Sequence, residues 1–203
     1  MYCKCIMEER FTKIYDKNIW GGSGTGSKMS RNQLKYIGTL TDIMEKYNVK
    51  TICDVGCGDW EFSQYINWGD RKYDGIDCVK SVIDNDIERF KNDNINFHHK
   101  IIDDRYVPTG YDLIIVKDVI QHWRDEEIIK YLTQLIDNNE YVFTTNGYQF
   151  NRDKTKNDNW NRDINNRYQY HPVDIYKYPL KDFRKKCISI QHYHTKQMCL
   201  FKK

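Results

Sequence analysis

One alternation limits this chain more than any other feature. Between Lys50 and Thr145, short apolar runs take turns with segments whose apolar residues recur every three or four positions. The runs predict strands at Lys50 to Val55, Tyr73 to Ile76, Ile95 to Ile102, Tyr111 to Val116 and Tyr141 to Thr145. The spacing predicts helices from Asp59 through Ile66, over Val79 to Phe90, and over Glu126 to Ile136, where Ile128, Ile129, Leu132, Leu135 and Ile136 are apolar. A further helix is expected at Arg31 to Tyr47, with Leu34, Ile37, Leu40 and Ile43 on its core face. Strand and helix alternating in this way predict an α/β domain with a parallel sheet covered on both faces. After Asn146 the pattern breaks into a loop of about 40 residues rich in Asn, Asp, Arg and Tyr, a length that usually signals function. Cys187 to His192 and Gln197 to Phe201 then predict two closing strands around a turn near His194 and Thr195.

A chain of 203 residues is the right size for one such domain, with roughly 70% of the unfolded surface buried on folding. Only 39% of the residues are hydrophobic, but 16 Tyr, 8 Phe and 5 Trp supply large apolar area, which predicts a folded core under a very polar surface. The formal charge is +3, from 32 basic and 29 acidic side chains interspersed along the chain, and this is no nucleic-acid footprint. Repeated Lys, Asn, Ile, Tyr and Asp fit an AT-rich coding genome, a viral one included, and say nothing of mechanism. Seven cysteines, no apolar stretch near Met1 of signal-peptide length and no run of 18 apolar residues predict a reducing, cytoplasmic setting without membrane contact. Cys3 and Cys5 form a C-x-C pair with no second pair nearby, so they are expected as free thiols. His98, His99, His192 and His194 do not fall at one strand end, and no metal is expected.

In an open parallel sheet, ligands bind outside the carboxyl ends of the strands where strand order reverses. Gly56, Asp77, Asp103 and Asp118 all fall at such ends. Gly56 and Gly58 let a ligand approach the backbone, and a helix starting at Asp59 would aim free N–H groups at a carboxylate. Asp77 can accept both hydroxyls of a ribose. Asp54 or Asp59 would answer an α-ammonium, and Asp103 or Asp104 the exocyclic amine of an adenine. Such a set of carboxylates suits a ligand bearing an ammonium and a sulfonium and would repel a pyrophosphate. The turn Asp54-Val55-Gly56-Cys57-Gly58-Asp59 also lacks the third glycine of the dinucleotide fingerprint, since Trp60 and Glu61 come next, so NAD is disfavoured.

Thr51 to Asp59 resembles motif I of the class I S-adenosylmethionine-dependent methyltransferases, and the resemblance covers about Lys50 to Thr145 plus the two final strands. It implies a Rossmann-like seven-stranded, mostly parallel sheet whose last strand is antiparallel, and S-adenosylmethionine as the bound cofactor. Ile19-Trp20-Gly21-Gly22-Ser23-Gly24-Thr25-Gly26-Ser27 and Lys117-Asp118-Val119-Ile120-Gln121-His122 are similar to segments of a methyltransferase subgroup associated with glycan biosynthesis. Asn161-Arg162-Asp163-Ile164 fits the same subgroup, whereas His171-Pro172-Val173-Asp174-Ile175 has His where those relatives carry Arg. The resemblance implies a small-molecule acceptor, a sugar or nucleotide sugar methylated on a hydroxyl, and Trp20, Gly24, Ser27 and Lys117 join the candidate cofactor residues.

The whole of 1–203 is expected to form one methyltransferase domain, with 1–30 as a glycine-rich lid over the cofactor and 146–186 as a substrate loop. Ser27 equally fits the N-cap of the helix after it. Asp118 and His122 lie four apart and would share a face if helical, so they are the candidates for taking a proton from a hydroxyl acceptor, His122 having the more suitable unperturbed pKa near ~6.5. The structural alternative is that His122 caps the next helix or packs on the adenine. Trp123 and Tyr148 are candidate aromatic walls, and Tyr148, Arg152, Trp160, Arg162 and His171 candidate acceptor contacts, although loop residues of this kind are as often simply solvated.

Competing readings fare less well. Enzymes that methylate base amines resemble one another in Asp/Asn-Pro-Pro-Tyr after the fourth strand, where this chain has Lys117-Asp118-Val119-Ile120. Ribose methyltransferases of RNA often show a Lys-Asp-Lys-Glu tetrad with a late Glu, and no glutamate follows Glu140. A third reading is a SAM-binding partner subunit that has lost catalysis; intact acidic strand ends argue against it, because a non-binding relic has no need of four carboxylates around one crevice.

Overall fold

The computed structural model describes residues 3–24, 26–148 and 172–203. A seven-stranded sheet runs in the order β3-β2-β1-β4-β5-β7-β6, with β1 Thr51–Val55, β2 Lys72–Asp77, β3 Ile95–His99, β4 Leu113–Lys117, β5 Tyr141–Gly147, β6 Cys187–Tyr193 and β7 Lys196–Lys202. The first five strands are mutually parallel. β7 runs antiparallel to β5, with Gly147 opposite Lys196, and β6 runs antiparallel to β7 at the sheet edge. Four α-helices accompany the sheet: α1 Cys3–Asp16, α2 Arg31–Lys46, α3 Lys80–Phe90 and α4 Asp125–Asn138. The fold is therefore the α/β class expected, Rossmann-like with an antiparallel C-terminal hairpin. None of the described helices is long and apolar enough to cross a membrane.

Side chains along each strand alternate between two apolar layers, as the pleat requires. Leu113 and Ile115 face a layer with Tyr36, Leu40 and Met44 of α2, while Ile114 and Val116 face one with Ile128, Leu132 and Leu135 of α4. Both faces are thus covered, which is why β4 is apolar without a break. Complete burial of each such side chain contributes about 1.5–3 kcal/mol. α2 begins at Ser30, whose Oγ accepts the Gln33 N–H at 3.4 Å. Ser30 rather than Ser27 is therefore the N-cap.

Three local expectations fail. No α-helix opens at Asp59; a single 3-10 turn at Ser63–Tyr65 stands there instead. Gly56, Gly58 and also Trp60 adopt left-handed backbone, with φ of 71°, 61° and 54°, so the chain cannot wind directly into a helix. The gain is burial of the Trp60 ring, which stacks on Trp68 at 6.2 Å and donates its indole N–H to the Tyr73 hydroxyl at 2.9 Å. The third strand stops at His99, its last residue paired with β2, so 100–104 do not continue it. Finally, α1 was not foreseen, although Met7, Phe11, Ile14 and Tyr15 recur at helical spacing.

Asp86 of α3 is fully buried, and neither carboxylate oxygen has a hydrogen-bond partner among the described residues. Burial, and then Asp59 and Asp77, push its carboxyl up to about 8 against the pull of Arg89. From the ordinary carboxylate range up to that value the unfolded chain is ionised here while the folded chain holds the proton, so stability falls as pH rises. The slope from this one group is at most about 1.4 kcal/mol per pH unit. Asp86→Asn is expected to flatten the decline of Tm between about pH 5 and pH 8 and to raise Tm at the upper end. Parallel melting profiles for variant and wild type would show that Asp86 does not titrate in this window.

Candidate functional site

Strand order reverses between β1 and β4, and a cavity of about 600 Å³ opens at the carboxyl ends of β1, β2 and β4. The turn after β1 is its floor. Gly56 and Cys57 both donate their N–H groups to the Ile76 carbonyl, at 2.8 and 3.1 Å. The Asp77 carboxylate accepts the N–H groups of Gly58 at 3.2 Å and Val79 at 3.0 Å. A side chain at Gly56 would collide with Val119, and a Cβ at Gly58 would lie 2.5 Å from the Ser23 Oγ. Only glycine fits either place, given their positive φ.

Asp77 and Asp54 both line this cavity. Burial pushes the Asp77 carboxyl up from its ordinary value, the Val79 and Gly58 N–H groups opposing it. Burial likewise pushes Asp54 up to about 6, opposed by the Tyr73 hydroxyl and by Lys117. Tyr73 donates to Asp54 at 2.8 Å and accepts from Trp60, so one relay joins the misfit helix region to the site. Asp59 is turned to a different task. Its carboxylate accepts the Ser23 N–H at 2.9 Å, its own N–H donates to the Ser23 Oγ at 2.8 Å, and the Tyr15 hydroxyl meets that Oγ at 2.5 Å.

Those contacts latch an N-terminal strap across the cavity. Met7, Phe11 and Tyr15 of α1 line it, followed by Trp20, Ser23, Gly24, Gly26 and Ser27. The Gly26 carbonyl accepts from Lys117 Nζ at 2.8 Å and Gln33 Nε2 at 2.5 Å. Trp20 stacks on His122 with ring centroids 5.8 Å apart, and Phe11 meets the same imidazole edge-on at 5.4 Å. Tyr15, Ser23 and Gln33 were missed in the sequence; the helical spacing of α1 was the available signal for Tyr15.

At the β4 end, Asp118 has φ of 60° and sits before a short 3-10 turn at Ile120–His122. Asp118 and His122 therefore share the cavity wall but not a helix face. Lys117 Nζ lies 3.0 Å from Asp118 Oδ2, and Lys196 Nζ pairs with Oδ1. Burial works against the charged carboxylate, but Lys117 and Lys196 outweigh it and hold Asp118 below its ordinary value. Lys196 was not anticipated, because only the pairing of β7 beside β5 brings it there.

Trp20, Gly24, Ser27, Asp54, Gly56, Gly58, Asp77, Lys117, Asp118 and His122 are thus brought together around one cavity. Asp103 and Asp104 are not among the residues lining it: Asp103 pairs with Arg105 at 2.8 Å, and Asp104 pairs with Lys130. Lys100, Ile101, Ile102, Cys78, Val119 and Trp123 form the wall there. Tyr148 stands beside the hairpin, its ring 4.7 Å from His192 and its N–H donating to the Thr195 carbonyl at 2.6 Å. Arg152, Trp160, Arg162 and His171 lie outside the described residues. Among the described residues no group of three or more His, Cys, Asp or Glu is placed to hold a metal ion.

No family model matches this sequence, and no curated protein matches it. Solved structures do share its fold. Magnesium protoporphyrin IX methyltransferase (ChlM) from Synechocystis PCC 6803 with bound SAH superposes with a TM-score of 0.63 at 15% identity, covering 98% of this chain and 99% of that one. The methyltransferase domain of bacterial CtHen1-C gives 0.60 at 18% identity over 85% of this chain and 98% of its own. N-methyltransferase NodS from Bradyrhizobium japonicum WM9 gives 0.62 at 11% identity, with 85% and 96% covered.

Gly58→Ala is expected to break the latch, because the methyl must displace Ser23 and the positive φ adds strain, together costing about 1–3 kcal/mol. Cleavage by protease within residues 17–28 should accelerate well beyond any change in the rest of the chain. An unchanged cleavage rate would show that the strap does not rest on the turn.

Proposed function

We propose that this protein is an S-adenosylmethionine-dependent methyltransferase acting on a hydroxyl of a small molecule, a sugar or nucleotide sugar. The observation that carries the reading is the coupling of a side-chain-free turn, Gly56 to Gly58, to the Asp77 carboxylate within one strapped cavity. That cradle suits a nucleoside with free ribose hydroxyls: the turn leaves room that any Cβ would fill, and Asp77 offers the acceptor oxygens. The shared fold with methyltransferases, ChlM with SAH among them, supports the same cofactor. The sugar or nucleotide-sugar acceptor rests on the Trp20 to Ser27 and Lys117 to His122 segments.

When bound, S-adenosylmethionine supplies a methyl group activated on a sulfonium. Asp77 would accept the ribose hydroxyls, and Asp54, fixed by Tyr73, would answer the α-ammonium. Cys78, Ile101, Ile102 and Val119 offer an apolar wall to the adenine in place of Asp103 and Asp104. Residues 1–30 act as the lid that excludes water, within a single domain spanning 1–203, and 146–186 form the acceptor loop. His122 takes the acceptor proton, oriented by Trp20 and Phe11. Asp118 is a poor base, because its two lysines stabilise the unprotonated form.

Calorimetric titration with S-adenosylmethionine and with NAD is the direct test: binding of the first alone is expected. Asp77→Asn loses the charge and keeps an acceptor for only one of the Gly58 and Val79 N–H groups, which go to different oxygens of the carboxylate. It should weaken S-adenosylmethionine binding by about 1.5–3 kcal/mol, tenfold or more. Unchanged affinity would remove Asp77 from the site, and no binding to wild type would sink the reading.

With an acceptor found by screening nucleotide sugars for uptake of labelled methyl, His122→Ala should slow transfer roughly 10²-fold or more and leave donor affinity nearly intact. Equal losses of binding and rate would make His122 a wall residue only.

A further inference from the structure

The two ends of the cavity differ in charge. The β1–β2 end carries Asp54 and Asp77, whereas the β4–β7 end carries Lys117 and Lys196 around the single carboxylate of Asp118. The two lysines are not equivalent. Lys117 is enclosed, with 9% of its side chain exposed. Its ammonium meets the Gly26 carbonyl at 2.8 Å, Asp118 at 3.0 Å, and the ring faces of Phe62 at 5.0 Å and Tyr36 at 5.6 Å. Its donors are taken.

Lys196 also lines the cavity, but its side chain is 19% exposed and its partner among the described residues is Asp118 alone. An ammonium has three N–H donors, so two of these have no partner among the described residues. Asp118 cannot swing away to neutralise anything else, because its N–H donates to the Thr145 carbonyl at 2.7 Å and both of its carboxylate oxygens are engaged. Two ammoniums against one fixed carboxylate leave an excess of positive charge at this end of the cavity. Directly across the hairpin, Tyr193 pairs with Lys196, and its hydroxyl is buried without a hydrogen-bond partner among the described residues. Residues paired in this way start from one face of the sheet, Lys196 reaching the cavity while Tyr193 packs in the apolar layer beside it.

We infer that Lys196, held upright by Asp118, is the anion-binding residue of an acceptor subsite and takes an oxyanionic group, phosphate or carboxylate, carried by the methyl acceptor. The inference rests on the methyltransferase reading only in assigning the β1–β2 end to the donor. An oxyanion there completes the lysine's donor set and cancels the excess charge, as a point-like ammonium does for phosphate. Lys196 thus sets specificity, selecting acidic acceptors over neutral ones of the same shape.

The test uses the full chain saturated with S-adenosylhomocysteine and titrated calorimetrically with inorganic pyrophosphate and, separately, with malonate. At least one probe is expected to bind, with Lys196→Gln weakening it about tenfold or more, Lys196→Arg staying within about threefold of wild type, and S-adenosylhomocysteine affinity unchanged in both variants. Binding of pyrophosphate alone would identify a phosphorylated acceptor, and binding of malonate alone a carboxylated one; either supports the inference. Failure of both probes to bind wild type, or equal binding to Lys196→Gln, overturns it. If S-adenosylhomocysteine itself does not bind, the methyltransferase reading falls, and the same titrations of the unliganded protein still decide the role of Lys196.

Discussion

Everything around the cavity depends on a turn that admits no side chain. Gly56 and Gly58 hold positive φ, so the chain leaves β1 by folding back on β2 instead of running on into a helix. That return sets the Gly58 N–H against Asp77 and leaves the space that Ser23 fills from the other side. The sheet, an acidic strand end and the N-terminal strap thereby meet at a point too small for a methyl group. Rigidity at this point is what lets a strap of glycines adopt one conformation, since Gly21, Gly22 and Gly24 have little preference of their own.

The same point gathers more carboxyl groups than a folded protein needs. Asp54, Asp77 and Asp86 all have carboxyls pushed up by burial, and Asp77 pushes both of the others further up. Tyr73 and the amides of Gly58 and Val79 offset part of this for Asp54 and Asp77, but Asp86 has no hydrogen bond to relieve it. Carboxylates concentrated at a stability cost are common where a cationic ligand is to be received, because the ligand's charge then does what the protein's own groups do not.

Much of the sheet was legible because its strands are buried on both faces and its helices on one, and burial imposes periods that sequence displays directly. The acidic end of β2 was legible for the same reason: Asp77 follows the last apolar residue of a run. What escaped notice depended on contacts between distant segments. Trp60 sits where helical spacing begins, yet its ring gains more from Trp68 and Tyr73 than the backbone would from winding a turn. Asp103 and Asp104 follow an apolar run too, but β3 ends early and the nearby Arg105 and Lys130 take them away from the cavity. Lys196 carries no local mark at all, since its place is decided by β7 inserting between β5 and β6.

That insertion gives the cavity its polarity. A sheet that stopped at β5 would present its carboxylates with Lys117 as counter-ion, the same ammonium that holds the Gly26 carbonyl and so the strap. By reversing direction, β7 brings its first residue to the edge where the parallel strands have their last, so Lys196 arrives beside Asp118 across the end of β5. The site therefore has an acidic half built by parallel strand ends and a basic half completed by an antiparallel strand start. Under the proposed function, the cationic donor and an anionic acceptor would each meet the half of opposite sign. Their own charges would then draw them together across the gap.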